Sequence, residues 1–434
     1  MKESLWTKTT TLTTYHKLEG NKKTDVLVIG GGMCGILCTY LLKQAGVDCM
    51  LVEGSKLASG ITKNTTAKLT SLHGLIYDKL IHDKGKETAQ AYLSANQKAL
   101  KTFEKLCKDI DCDYETRPAY TYSMTDRTII EKEVFAAQAL GFPATFVAQT
   151  ELPFSVAGAI CFPNQAQFHP LKFLSHIAEN LPCYEDTFIY DITPHTAISN
   201  NGKITANKII VATHFPFINK HGSYFLKLYQ HRTYVTAFQN AQKLAGMYVD
   251  ENIQGLSFRT YQNLLLLGGG SHRTGKSGGS WKELHAFAQK YYPQAKPQYE
   301  WATQDCMTLD AVPYIGKYSG KTPDLYVATG FHKWGMTGAM VAATLLCDMV
   351  QDKKNDLESV FSPQRSILTP QLVVNCLESA ANLLTPSTKR CPHLGCALKW
   401  NKYEHTWDCP CHGSRFSEEG KLIDNPATGD AKVK

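Results

Sequence analysis

The run TDVLVIGGGMCG at 24–35 limits what this chain can fold into more than any other feature. An apolar stretch of strand length ends in glycines, a segment with few breakers follows from Ile36 to Gln44, and VDCMLVE (47–53) reads as a second strand. Strand, turn, helix and strand within about thirty residues make one βαβ unit. In that setting G-x-G-x-x-G is a dinucleotide fingerprint. Gly30 permits the tight turn, Gly32 lets the backbone approach a pyrophosphate, and Gly35 packs helix against strand. The phosphates then meet free N–H groups at the positive end of a helix. Glu53 lies 18 residues beyond Gly35. An acid there bonds ribose hydroxyls, which favours NAD or FAD over NADP. A second glycine-spaced strand–helix element far downstream, ATGFHKWGMTG (328–338), shifts the balance to FAD.

The remainder is compatible with a soluble α/β protein. Its 434 residues suffice for two or three domains. Lys and Arg number 46 against 39 Asp and Glu, a net +7 with no dense basic block, so nucleic acid is not an expected partner. No apolar run approaches the ~20 residues of a membrane span. The opening MKESLWTKTTTLTTYHKLEG lacks the apolar core of a secretory signal, and a cytoplasmic location is the expectation. Residues 77–108 are helical in pattern, and 231–270 alternate as in an antiparallel sheet. The expected fold is a doubly wound, Rossmann-like FAD-binding domain with an inserted β-rich substrate domain and a small C-terminal module. Its expected boundaries are a lead at 1–23, an oxidoreductase at 24–352, a connector at 353–390 and the module at 391–434. Within the oxidoreductase, FAD-binding segments fall at 24–80, 156–219 and 301–352, and the substrate domain at 81–155 and 220–300.

Of the 14 cysteines, ten are scattered through the first 376 residues and the other four crowd into the tail. The tail reads Cys391-Pro-His393, fifteen residues, then Cys409-Pro-Cys411-His412. Two Cys/His pairs can hold two irons differently, Cys391 and Cys409 on one and His393 and His412 on the other. Neutral imidazoles raise such a cluster's potential to about −150 to +300 mV, against about −400 mV for all-cysteine ferredoxins. A Cys2His2 zinc site draws on the same donors and is the rival reading.

Two resemblances extend these readings. The segments ASGITKNTTAKLTSLHG (58–74), QFHPLKFL (167–174), ANKIIVATH (206–214), DAVPYIG (310–316) and ATGFHKWGMTGA (328–339) resemble the glycine oxidase and D-amino-acid oxidase superfamily, in family order. That resemblance implies FAD contacts at Gly30, Gly32, Gly35, Glu53, Gly330 and Gly335, with Thr66 and Ala67 as weaker candidates, and a substrate domain roofing the flavin. The motif CPHLGC…CPCHGSRF, with Gly420 and Asn425-Pro-Ala427 behind it, resembles the Rieske [2Fe–2S] family. This implies cluster ligands Cys391, His393, Cys409 and His412, and a disulfide between Cys396 and Cys411. The whole chain resembles bacterial FAD-dependent oxidoreductases with a C-terminal Rieske domain. One departure stands out: only 22 residues follow His412, and 357–390 show little strand alternation. Much of the usual β base is therefore expected to be missing, with the cluster loops leaning on the flavin domain or too weakly held to keep a cluster.

Glycine-oxidase-like proteins carry an arginine five residues before the aspartate of their D-G-x-P-Y-I-G segment, where it pairs with the substrate carboxylate. Here that position is Asp305. The inverted charge points to an amine rather than a simple amino acid; the plain alternative is an aspartate that caps a turn. His73 and Arg259 are further pocket candidates, set against a satisfied structural histidine and a surface arginine. Trp334 and His332 line the pocket or simply pack, and Cys306 raises the thought of a covalent flavin link. The expected function is oxidation of a C–N bond by hydride transfer to FAD, with electrons passed through the cluster to an external acceptor. The alternatives are a plain oxidase using O2 with a non-functional tail, or an electron-transfer protein without a small substrate.

Overall fold

The computed structural model describes residues 2–433 and contains three sheets. The first is the dinucleotide-binding sheet. Thr322–Thr329, Gly202–Val211, Lys22–Ile29, Cys49–Val52 and Cys183–Tyr184 run parallel, with Tyr314–Ser319 antiparallel at one edge. The strands of the fingerprint unit are fully buried at their C-terminal ends, as a sheet covered on both faces requires. Val26 to Ile29 pair with Cys49 to Val52, so the strands finish side by side at Gly30 and Glu53. Helix Met33–Gln44 leads away from this edge and is covered by helix Gly335–Val350, which is buried along most of its length.

The second sheet has nine strands, eight in the order Lys296–Thr308, Leu228–Gln239, Leu264–Arg273, Ser257–Tyr261, Met247–Asp250, Glu115–Ser123, Gly158–Gln167 and Lys68–Leu69. Thr145–Val147 pairs with Gly158–Gln167 at its side. Two boundaries expected from sequence move. Gly158–Gln167 pairs with Glu115–Ser123, and Lys296–Thr308 pairs with Leu228–Gln239 as far as Thr308. Both strands, assigned wholly or partly to the FAD-binding segments by sequence, therefore belong to the substrate-side sheet. The helical stretch after Tyr77 is two helices, Tyr77–Lys84 and Lys86–Cys107, broken at Gly85 with φ of 85°.

The N-terminal lead packs against the flavin domain. Helix Leu5–Thr9 plants Trp6, fully buried, against the loop after Asn64, and its indole N–H donates to the Thr65 carbonyl at 2.7 Å. The connector holds the helices Glu358–Phe361 and Pro370–Leu384. The C-terminal module is an antiparallel sheet of Lys399–Asn401, Thr406–Asp408, Arg415–Phe416 and Leu422–Asp424. Strands of two or three residues bury little on their own. The module leans on the flavin domain for the rest of its support.

Candidate active site and cluster site

A cavity of about 1560 Å³ opens at the C-terminal edge of the parallel sheet, larger than the ~300–1,000 Å³ of a drug-sized site. Gly30 to Cys34 and Val52 to Ser55 form one end of it. The glycines are required by space. A Cβ on Gly35 would stand 1.8 Å from the Gly30 carbonyl oxygen, and one on Gly30 (φ 109°) 2.6 Å from that of Ala212. Gly32 is free of such crowding and no side chain caps the helix from it; Thr62 Oγ1 accepts from Met33 N–H at 3.0 Å. Glu53 closes the turn by accepting from Gly31 N–H at 2.7 Å and Ser55 N–H at 2.8 Å. An open glycine-lined helix N-terminus with an acid beside it fits the pyrophosphate and ribose of a dinucleotide.

The other expected flavin contacts divide. Thr66 and Gly335 line the cavity. Ala67 lies behind its wall with φ of 53°, fully buried. Gly330, with φ of 70°, packs where a Cβ would meet the Thr308 methyl at 2.2 Å.

Asp305 lines the cavity near the end of strand Lys296–Thr308, in register with His231. Among the described residues its carboxylate makes no hydrogen bond and no ion pair. Burial pushes it up to about 6, against the pull of Lys333 and Arg232. Lys333 sits in a turn that the sequence reading passed over. His332 and Lys333 both hold left-handed backbone, φ 50° and 71°, a conformation non-glycine residues rarely keep without a reason. The Lys333 ammonium donates to the Ile253 carbonyl at 2.8 Å, and burial lowers its pKa while Asp305 raises it. The lone cation in the 328–338 segment was the available signal.

His73 forms part of the wall with both nitrogens engaged. Nδ1 meets Tyr92 Oη at 2.7 Å, and Nε2 meets the Thr70 carbonyl at 2.8 Å and Thr337 Oγ1 at 3.1 Å. Trp334 stacks on its ring at 4.9 Å, and burial holds it down to about 3, hence neutral. Arg259 corrects the sequence reading: it is neither a surface residue nor part of the cavity lining. Its strand lies inside the nine-stranded sheet, and the guanidinium donates to the Thr66 and Ala67 carbonyls at 2.6 and 2.7 Å from behind. Cys306 lines the cavity as well, but burial pushes its thiol up to about 12, so it stays protonated.

In the tail, Cys391 and Cys409 are both buried. The rings of His393 and His412 stand 4.9 Å apart. His393 Nδ1 and both His412 nitrogens are buried without a hydrogen-bond partner among the described residues. His393 Nε2 meets Asn219 Oδ1 at 2.9 Å. Burial keeps His393 near 4 and His412 near 3, so both offer neutral imidazoles. Unpartnered buried ring nitrogens are costly unless a metal takes them, and two thiols with two imidazoles are the donor set of a Rieske cluster. The sulfurs of Cys396, Cys409 and Cys411 lie within 4.8 Å of one another, but Cys396 and Cys411 are joined in a disulfide and so are not ligands.

The cluster loops press on the flavin domain. Gln230 Nε2 donates to the His412 carbonyl at 3.0 Å, Gln304 Nε2 to that of Gly413 at 2.9 Å, and Arg273 to those of Pro410 and Cys411 at 3.2 and 3.3 Å. Asn425 returns bonds to the Thr213 and Phe215 carbonyls, both at 2.7 Å. Gly275 (φ 77°) lies so close that a Cβ there would be 2.8 Å from Pro410. Glu404 is buried between Arg232 of the flavin domain and Arg415 of the module, accepting from Arg232 Nε at 3.0 Å and Arg415 NH2 at 2.9 Å. Tyr403, Glu404 and His405, from the turn of the first module hairpin, line the same cavity as Asp305.

Fold and sites together define a flavoprotein oxidoreductase with an iron–sulfur module docked against its cofactor cavity. A family model of FAD dependent oxidoreductases (DAO) matches residues 25–349, and one of the Rieske [2Fe-2S] domain matches 355–433. The chain belongs to this DAO family, carries a Rieske domain, and has FAD and a [2Fe–2S] cluster as its cofactors. It is 33% identical to YhfW of Bacillus subtilis (strain 168), described by its name as a Rieske 2Fe-2S iron-sulfur protein, over 98% of this chain and 96% of that one. Glycine oxidase from Geobacillus kaustophilus superposes with a TM-score of 0.68 at 19% identity, over 80% of this chain and 100% of its own. L-proline dehydrogenase from P. horikoshii does so with 0.67 at 15% identity, over 80% and 98%. These two likenesses establish the shared fold. Among the described residues no helix is long and apolar enough to cross a membrane.

Proposed function

We propose that this oxidoreductase oxidises a C–N bond of a small amine and hands the electrons to an external acceptor by way of its Rieske module. The observation that carries the reading is Asp305, a carboxylate on the cavity wall without a hydrogen-bond partner, at the position where glycine-oxidase-like proteins hold an arginine. An ammonium substrate pairs with it. Charged above its pKa of about 6, the carboxylate holds the ammonium by charge and hydrogen bond and so orients the α-carbon that gives up hydride. Lys333 stands on the same cavity and suits an anionic group elsewhere on the substrate. His73 and Trp334 stiffen the wall, and Tyr403, Glu404 and His405 close the cavity from the module side, keeping water from the reacting carbon. When bound, FAD supplies the hydride acceptor and the cluster a one-electron carrier. The FAD site at Gly30–Gly35 and the first hairpin of the cluster module thus border one cavity.

The test is an anaerobic absorption spectrum recorded before and after adding a panel of amines, amino acids and amino acids with blocked amines. Bleaching of both flavin and cluster bands by an amine, lost in Asp305→Asn, supports the reading. Flavin bleaching with the cluster band unchanged would leave a plain oxidase, and no bleaching by any amine would remove the amine assignment.

A further inference from the structure

Helix Pro370–Leu384 (PQLVVNCLESAANLL) is inside out. Asn375 and Asn382 face the protein and are buried, while Leu368 just before the helix, and Val373, Leu377 and Leu384 on it, are 85%, 59%, 65% and 82% exposed. The buried asparagine is well used: Asn375 accepts from Arg273 NH1 at 2.9 Å, and the same arginine grips the cluster loop at Cys411. The helix entry is fixed as well, by a two-pronged Arg365–Asp310 pair at 2.8 Å. The outward aliphatic face therefore belongs to a well-anchored element, and burial within this chain does not account for it. A contiguous exposed apolar face of this kind marks an interaction site.

The face is continuous with the cluster loop. The guanidinium of Arg390 ties the Leu383 carbonyl at 3.2 Å to the Gly395 carbonyl at 2.7 Å. Leu394, beside the ligand His393, is 39% exposed and extends the apolar surface to the cluster. The two ligand histidines differ in the same direction. His412 is buried against Phe215 and Phe225 of the flavin domain, whereas His393, which also faces Phe215, is only partly buried at the rim of this surface.

We infer that this helix face, with Leu394, is the docking site of a small, acidic, one-electron redox protein that takes electrons from the cluster. The inference rests on the proposed outward electron flow and adds the acceptor's class and address. Size argues for a transient partner. One helix face, about 22 Å long and about 10 Å wide, falls well short of the ~800 Å² per partner of a stable complex but suits brief redox encounters. The helix holds no Lys, Arg or aromatic residue with which to seat itself among lipid headgroups. Its rim is basic at Lys389 and Arg390, on a chain of net charge +7, which complements an acidic partner. In the transfer one electron leaves the reduced cluster and turns one ferric haem or equivalent centre ferrous; no bond or proton moves.

The test uses the full-length holoprotein reduced with dithionite and mixed in stopped flow with an oxidised acidic c-type cytochrome, a basic one, or ferricyanide. The double variant Leu377→Glu/Leu384→Glu changes exposed residues only. The expected result is a second-order rate with the acidic cytochrome that falls about tenfold in the variant and falls with salt in the parent, while ferricyanide reoxidation is unchanged. Sedimentation of both proteins, alone, with cytochrome and with phosphatidylglycerol vesicles, gives a readout independent of turnover. Equal rates for parent and variant, or no reaction with the acidic cytochrome, overturn the inference. So does vesicle binding or self-association of the parent that the variant loses. Because dithionite loads the electrons, failure of the amine assignment shows separately, as absence of amine-driven bleaching.

Discussion

Gln230 holds the backbone carbonyl of His412 at 3.0 Å with its amide nitrogen, while its amide oxygen meets His214 Nε2 at 2.9 Å. His214 lines the cofactor cavity and His412 is a cluster ligand, so one side chain spans the two sites. Gln230→Leu keeps the bulk and removes these bonds together with a third, to the Asn425 carbonyl at 3.2 Å. It is expected to slow reduction of the cluster by substrate-reduced flavin while leaving flavin bleaching itself unchanged, as read by stopped flow at flavin and cluster wavelengths. Stability should fall by about 1–3 kcal/mol, for the groups left unpaired.

Glu404 links the two domains through charge. Burial raises its carboxyl, but Arg232 and Arg415 outweigh burial and hold it near 2. A carboxylate depressed in the folded state stabilises fully above its unfolded pKa of about 4.3. That contribution is lost as pH falls from there toward 2. Glu404→Gln should cost about 3–5 kcal/mol at pH 7 in denaturant unfolding, and the gap between the two proteins should close on acidification across that window.

Asp305 sets a pH limit on substrate binding. With its pKa at about 6, the carboxylate is charged at neutral pH and becomes uncharged as pH drops below that value. The apparent affinity for a cationic amine should therefore fall about tenfold for each unit below 6 in the parent protein, by the loss of the charged form. Asp305→Asn should bind weakly and show no such step, in flavin-perturbation titrations from pH 5 to 8.

Arg259 braces the loop at Thr66 from behind, stacked near Trp6 and Tyr261 at 5.5 and 5.7 Å. Arg259→Ala removes charged hydrogen bonds of about 1.5–3 kcal/mol each. FAD should be lost on dialysis at concentrations where the parent keeps it, while cluster absorbance stays.

What could be seen in the sequence was the chemistry that lives in short segments. The fingerprint at Gly30, Gly32 and Gly35 with Glu53, and the cysteine–histidine tail, each fit within about thirty residues, where spacing is fixed by local geometry. Arg259 was misread because its partners, Thr66 and Ala67, lie nearly two hundred residues away and periodicity carries no long-range pairing. Arg232 with Glu404, and Gln230 with His412, were missed on the same ground. The range 156–219 reads as FAD-binding, yet its first strand, Gly158–Gln167, hydrogen-bonds to Glu115–Ser123 in the other sheet, a long-range pairing that sequence order does not carry.

The reliance of the cluster loops on Gln230, Gln304, Arg273 and the tight approach at Gly275 bears on how this protein comes to be made. The supporting surface leaves the ribosome before the loops that need it. Assembly of the iron–sulfur centre is therefore expected to follow folding of the flavin domain, and a tail cut free near residue 390 is not expected to work as a portable cassette. Fusing it to another enzyme would transfer the ligands without the floor on which they stand.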